Sequence, residues 1–382
     1  MKETKLQLFN NKASQYIFIV SVFIVSVLLF SCSSMKDLSQ YEIATEKKVA
    51  LNDIFSGYSY TMLETTEDAI LTNVKKIIVD DSYISVQDKN HIVVFDKEGK
   101  FLSKINAYGR GHNEYMSLDD YAIQDSRFYI LSRAQKAILV YDISGKFIKN
   151  LKLDDWYNHL VFNGKDMVIL SSENSNMSKK NFLLYDVANG RKIRALDPFE
   201  RNENMLFGDY TPFCGKSENG YYVTHCFDHD IYEITAEGIK PYASFSFVDK
   251  GQLPAGTPSM SYFDLFEATQ YKSVVKNMEL YCKLGNCSYV TFSMFGTEGG
   301  ILSYVSKLNG DGTCHTACIG DKYSEKFPYM TKPMTTYKDN LVSVCDPSLI
   351  LSIEKNHNLD TFSSKGLTKE SNWVVFFNKL SH

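Results

Sequence analysis

The segment IVVFDKEGKFL, residues 92–102, recurs along the chain. It returns as ILVYDISGKFI at 138–148 and as FLLYDVANGRKI at 182–193, with weaker copies in IYEITAEGIKP at 231–241 and SYVSKLNGDGT at 303–313. The turn glycines Gly99, Gly145, Gly190 and Gly238 lie 46, 45 and 48 positions apart. Each copy is a β-rich run, a tight turn and a second run. Such a turn needs φ > 0, which glycine adopts without the steric cost that a Cβ imposes. A period of about 40–50 residues, each unit holding two hairpins' worth of strand, is the mark of a propeller blade.

At that pitch the roughly 320 residues from Tyr58 to Lys379 make six to seven units. Blade one covers VKKIIVDDSYISVQDKNHIVVFDKEGKFL (74–102), and blades two to four centre on Gly145, Gly190 and Gly238. Blade five runs through LYCKLGNCSYVTFSM (280–294) and GGILSYVSKL (299–308). Blade six joins NLVSVCDP (340–347) and NWVVFF (372–377) to the N-terminal YSYTML (58–63). A ring has to close, because an open last blade leaves edges that template aggregation. Pairing Trp373–Phe377 with an N-terminal strand closes it. One stretch breaks the strand pattern. Within 253–279, Ser261 is followed by Tyr262, Phe263, Leu265 and Phe266, with Glu267 beside them. This reads as a short helix on an insertion near 259–276, lying over a loop face. The expected fold is all-β, a six-bladed propeller closed by N- and C-terminal strands. The 25 Tyr and 25 Phe suit pleated surfaces that carry large side chains. With a net charge of −4 and both signs interspersed there is no basic stripe, which argues against a nucleic-acid partner.

The N-terminus reads as an export signal. Lys2, Lys5 and Lys12 precede the uncharged run YIFIVSVFIVSVLLF, 16–30. At ~1.5 Å per residue that run reaches ~22 Å, short of the ~30 Å hydrocarbon core a spanning helix needs. It ends in Leu29-Phe30-Ser31-Cys32, which resembles the bacterial lipobox: Leu at −3, a small residue at −1, then the cysteine that is acylated. The resulting division is a signal peptide over 1–31, a polar tether over 32–48 behind a lipidated Cys32, and the propeller over 49–382. Acyl chains contribute about 0.8 kcal/mol per buried methylene, and two or three chains hold stably. The residues SSMKDLSQ offer only Asp37 as an acid, so neither the periplasmic nor the surface side is singled out. Without Cys32 seven cysteines remain, an odd number that cannot form a complete disulfide set. Cys282 and Cys287 flank a tight turn and could bridge. Unpaired buried thiols are the alternative, and the one expected.

Four stretches resemble the six-bladed β-propeller lipoproteins of Gram-negative bacteria, relatives of the NHL-repeat propellers. They are MLETTEDAIL (62–71), FDKEGKFLSKINAYGRGHNEY (95–115), HDIYEITAEGIKPYASFSFVDKGQLP (229–254) and SNWVVFFNKL (371–380). The resemblance spans about Leu51 to Leu380. It departs at His112-Asn113, where the family has Pro-Gly, and at Trp373, where it has Pro. It implies the same architecture and a lipid-anchored place in the cell envelope, at the outer membrane. It implies no particular activity.

Candidate chemistry is sparse. The loop GRGHNEY (109–115) lacks the third glycine and the strand–helix context of a dinucleotide cradle. It resembles an NHL-type linker between blades, with Tyr115 as the plug. Arg110, His112, Glu114 and Tyr115 are the candidate ligand contacts. In HCFDHD (225–230) two histidines four apart sit in a hairpin turn between strands rather than on one helix face, which argues against a shared metal. The doublets Asp80-Asp81, Asp119-Asp120 and Asp154-Asp155 read as turn residues, with a calcium site as the competing reading. There is no nucleophile elbow, zincin helix or phosphate loop, and no cofactor is expected. The leading expectation is a membrane-held binding propeller for an envelope protein, peptide or glycan, without catalysis. The alternative is a metal-dependent propeller hydrolase or lyase that uses channel carboxylates.

Overall fold

The computed structural model describes residues 39–172, 181–196, 211–257, 260, 262–296, 299–320 and 323–381; the signal segment and Cys32 lie outside them. Turn chemistry explains the repeat. In its first copy the Asp96 carbonyl accepts from Gly99 N at 3.2 Å, and Asp96 Oδ1 accepts from Lys100 N at 2.8 Å. Gly99 has φ +89°, and a Cβ there would lie 2.2 Å from the Met62 carbonyl oxygen. Asp142 repeats the arrangement, accepting from Ser144 N and Lys146 N.

Two strands, β1 (Ser39–Ile43) and β2 (Phe55–Met62), precede the first blade. Blade one is β3 (Val74–Val79), β4 (Ile84–Asp88), β5 (His91–Phe95) and β6 (Phe101–Ile105). Blade two is β7 (Asp120–Gln124), β8 (Arg127–Ser132), β9 (Ala137–Asp142) and β10 (Phe147–Lys152). Blade three is β11 (His159–Phe162), β12 (Met167–Ser171), β13 (Phe182–Asp186) and β14 (Arg191–Ala195). Blade four is β15 (Phe213–Lys216), β16 (Tyr221–Thr224), β17 (Asp230–Thr235) and β18 (Gly238–Phe247). Blade five is β19 (Met278–Leu284), β20 (Cys287–Phe295), β21 (Ile301–Leu308) and β22 (Cys314–Ile319). Blade six is β23 (Thr335–Tyr337), β24 (Asn340–Cys345) and β25 (Val374–Leu380), with β2 as its fourth strand.

The fold is the expected six-bladed propeller. Central strands are apolar on both faces because each face meets a different neighbour. In β5, Val93 and Phe95 pack toward blade six, while Ile92 and Val94 pack toward blade two. Every pair of adjacent blades, six and one included, shares its own apolar cluster. Closure is as expected. β2 pairs antiparallel with β25, with Tyr58 opposite Asn378 and Met62 opposite Val374. Just before β25, buried Asn372 donates its amide to the Glu64 and Ala69 carbonyls at 2.7 Å and accepts from Leu71 N at 2.8 Å.

Antiparallel pairing sends the connections alternately to two sides of the ring. Turns from first to second strand and from third to fourth are short, as at 80–83, 125–126, 236–237, 285–286 and 338–339. Connections from second to third strand and from blade to blade include the long segments 106–119, 248–277, 320–334 and 346–373. Both α-helices among the described residues lie in these: α1 (Tyr262–Thr269), inside the expected insertion, and α2 (Pro347–His357), which the sequence reading missed. Asp346 caps α2 with Pro347 in its first turn, a recognisable start signal. The buried Glu354 carboxylate fastens the segment beyond it, accepting from Thr361 N, Phe362 N, Ser363 N, the Ser363 hydroxyl and the Tyr329 hydroxyl.

Part of the expected tether belongs to the propeller. β1 is a fifth strand on the outer edge of blade four, beside β18. Asp249 then accepts from Thr45 N at 2.9 Å and from Glu46 N at 2.7 Å, and Val49 N donates to Thr316 O on blade five. From Gln40 to Ile54 the chain thus runs along the rim from blade four to blade six. The reason is an apolar register the tether reading overlooked: Ile43, Leu51 and Ile54 are buried. Cys282 and Cys287 are both free thiols, so the possible bridge between them is not formed. Burial pushes the Cys282 and Cys345 thiols up to about 12, so both stay protonated.

Candidate functional site

The first strand of each blade lies innermost: β7 packs beside β11, β15 beside β19 and β23 beside β3. Each enters the ring from the long-loop side, so its first residues ring the mouth of the central channel. At blades one to three these residues are polar and joined. Asp120, the first residue of β7, is 4% exposed. Its Oδ1 accepts from Lys76 Nζ of β3 at 2.5 Å, and its Oδ2 accepts from Leu160 N of β11 at 3.0 Å. His159 Nδ1 stands 3.5 Å from Oδ2. Lys76 also donates to the Tyr121 carbonyl at 2.9 Å. One carboxylate therefore ties three blades together. Burial alone raises the Asp120 pKa, but the Lys76 ammonium and the His159 hydrogen bond outweigh it and hold it at about 2.

The same end of blade five carries Glu279, whose Oε1 accepts from Lys332 Nζ at 2.7 Å. Its Oε2 is buried with no hydrogen-bond partner. Each of these two mouth carboxylates is thus claimed by a lysine, the opposite of a cation-binding set. Among the described residues no group of three or more His, Cys, Asp or Glu is placed to hold a metal ion. The calcium reading of the Asp doublets finds no support in this geometry. The turn reading holds for Asp80, whose Oδ1 accepts from Ser82 N and Tyr83 N. It is overturned for Asp120, because the strand begins one residue earlier than a turn would allow. Lys76 and His159 carry no motif. The available signal was positional, in the polar starts of VKKIIV, DYAIQ and HLVF at one blade phase.

The loop candidates lie on the same side of the ring. Arg110 and His112 are exposed in the 106–119 connection. Glu114 Oε2 accepts from Gly111 N at 2.7 Å and leaves Gly109 no room for a side chain, since a Cβ would meet it at 2.0 Å. Tyr115 is fully buried, donates to Asn90 O at 2.7 Å and sits edge-on to Tyr141 with centroids 6.0 Å apart. It fills the blade one–two junction, while Arg110 and His112 remain at the surface. In HCFDHD the rings diverge as expected. His225 lies against Phe182 and Tyr232, whereas His229 Nε2 meets the Val275 carbonyl at 2.8 Å.

Around the mouth, the long-loop side is also the apolar side. Tyr108, Met116, Phe263, Tyr271, Tyr323 and Leu349 are exposed there. Off the long-loop side, the large exposed apolar residues among those described are aliphatic: Leu102, Ile148 and Ile193, on the outermost strands of blades one to three just past their short turns.

These features define a six-bladed β-propeller with one built face. The chain belongs to the family described as "Domain of unknown function (DUF4934)", whose model matches residues 4–379. Among solved structures, a Bacteroides fragilis NCTC 9343 protein described as exported is similar to it, with 18% identity over 90% of this chain and 100% of that one, at a TM-score of 0.68. A DUF4221-family protein of Bacteroides vulgatus ATCC 8482 is similar at 13% identity over 85% and 99%, with a TM-score of 0.55. At these identities the likeness is one of fold. No curated protein matches the chain.

Proposed function

We propose that this is an exported, lipid-anchored envelope protein that binds a peptide, glycan or protein partner on the long-loop side of its propeller, around the channel mouth. The carrying observation is the asymmetry of the ring. Long connections, both α-helices among the described residues and the exposed aromatic side chains gather on one side, and the other side is short hairpins without an exposed aromatic ring among the described residues. Exposed apolar side chains rimmed by polar ones mark interaction surfaces. Support for the anchor comes from Leu29-Phe30-Ser31-Cys32 behind an apolar run too short to span a bilayer. The description of the B. fragilis relative as exported agrees with export, and the anchor rests on the sequence alone.

Two experiments test the reading. Feeding cells an alkynyl palmitate should label the full-length protein and leave Cys32→Ala unlabelled and released from membranes; an unlabelled wild type removes the anchor. Screening the propeller against glycan and peptide panels should yield a ligand whose affinity falls about tenfold, on the order of 1.4 kcal/mol, in Tyr108→Ala or Tyr271→Ala. A ligand indifferent to these changes moves the binding face elsewhere.

A further inference from the structure

The path of β1 carries one inference about how the propeller stands on its membrane, resting on the lipid anchor proposed above. β1 lies parallel to β18. Ser246 Oγ donates to Tyr41 O, Val248 N to Ile43 O, and Thr45 N to Asp249, so the offset between partners stays at 204 to 205 along the pair. Parallel strands share a direction, and β18 climbs from the short turn at 236–237 to the long-loop side. The N-terminal end of β1 therefore points toward the short turns. The bonds from Thr45 and Glu46 to Asp249, with the Lys250–Glu46 ion pair at 2.9 Å, hold that course.

Chain length then decides between the two sides. Tyr41 stands beside Ser246, eight residues above Gly238, which is ~26 Å at ~3.3 Å per residue. The nine steps from Cys32 to Tyr41 span at most ~32 Å. Continuing straight on, that leash reaches the level of the short turns with little to spare. To emerge on the long-loop side it would have to reverse, spend part of its length on the reversal, and pass the 248–277 insertion that follows β18. We infer that the anchored protein rests with the short-turn side of blade four on the lipid headgroups and holds its long-loop side away from the membrane. The short turns of blade four, 217–220 and 236–237, carry no large exposed apolar residue, which fits contact with headgroups without insertion. It also leaves the face assigned to partners open.

Tryptophan placement supplies the test. The chain has two, Trp156 and Trp373, and both lie in long-loop connections. Full-length acylated protein is bound to phosphatidylcholine–phosphatidylglycerol vesicles that carry a dansyl headgroup acceptor, and energy transfer from tryptophan is measured. The wild type and Lys272→Trp should transfer weakly, while Glu237→Trp, at the short turn before β18, should transfer several-fold more. Greater transfer from Lys272→Trp, or equal transfer from both, overturns the orientation. Failure of the acylated wild type to float with vesicles at all overturns the anchor instead, so the two readings fail separately.

Discussion

At the residue scale, Asp120 is the side chain on which most of the mouth depends. Its pKa of about 2 in the folded chain lies below the ordinary 3.8, so its contribution is complete above about pH 4 and is lost as pH falls toward 2. That difference is worth about 2 kcal/mol. Asp120→Asn should therefore cost about 2–3 kcal/mol at pH 7, because it leaves the Lys76 ammonium with the Tyr121 carbonyl but without its counter-charge, and should flatten the acid limb of a denaturation series. An acid limb unchanged in the variant would mean that the carboxylate is not held by Lys76. Tyr115→Phe should cost about 1–2 kcal/mol through the hydroxyl that now bonds Asn90 O and Ile105 O. Arg110→Ala should change stability by less than about 0.5 kcal/mol, as an exposed substitution. Urea titrations of the three variants separate plug from surface residue. The loop was legible because glycine spacing and a lone aromatic leave a trace in sequence. The Lys76–Asp120–His159 contact was not, because its members come from three blades and meet only when the ring closes.

At the element scale, hairpin turns and central strands were readable while the ornaments were not. The D-x-x-G pattern at Asp96 and Asp142 encodes a side-chain-to-backbone turn, and its variants at Asp186 and Thr235 keep the turn glycine, so the repeat announces itself. α2 follows a capping Asp346 and Pro347 but was hidden behind the expectation that blade six continues as strand. Its far end hangs on Glu354, a buried carboxylate with five donors. Glu354→Ala should cost about 3 kcal/mol and raise proteolysis within 346–373, since the donors around it lose their acceptor. Limited proteolysis with mass mapping checks this, and protection equal to wild type would contradict it. β1 escaped notice because SQYEI is short and mostly exposed, and its place is set by β18, more than 200 residues away.

For the whole molecule, the ring is closed by strands from opposite ends of the sequence. A chain ending at Asn372 loses β25, and with it both the partner of β2 and Val375 and Phe377 of the blade six–one cluster. It should elute as aggregate without cooperative unfolding, because β2 and β24 become bare edges. A truncated chain that unfolds cooperatively as a monomer would refute closure. The sequence's repeat period was enough to imply the ring; which side of it meets a partner was not, because that depends on the sidedness of connections, a property of strand direction rather than composition. The most direct measurement is site-specific photo-crosslinking in living cells, with benzoylphenylalanine placed at Tyr271 and Tyr323 on the long-loop side and at Asn286 and Asp311 on the short-turn side. The account predicts partner adducts from the first pair and none from the second. Adducts from Asn286 or Asp311, with none from Tyr271 or Tyr323, would contradict it.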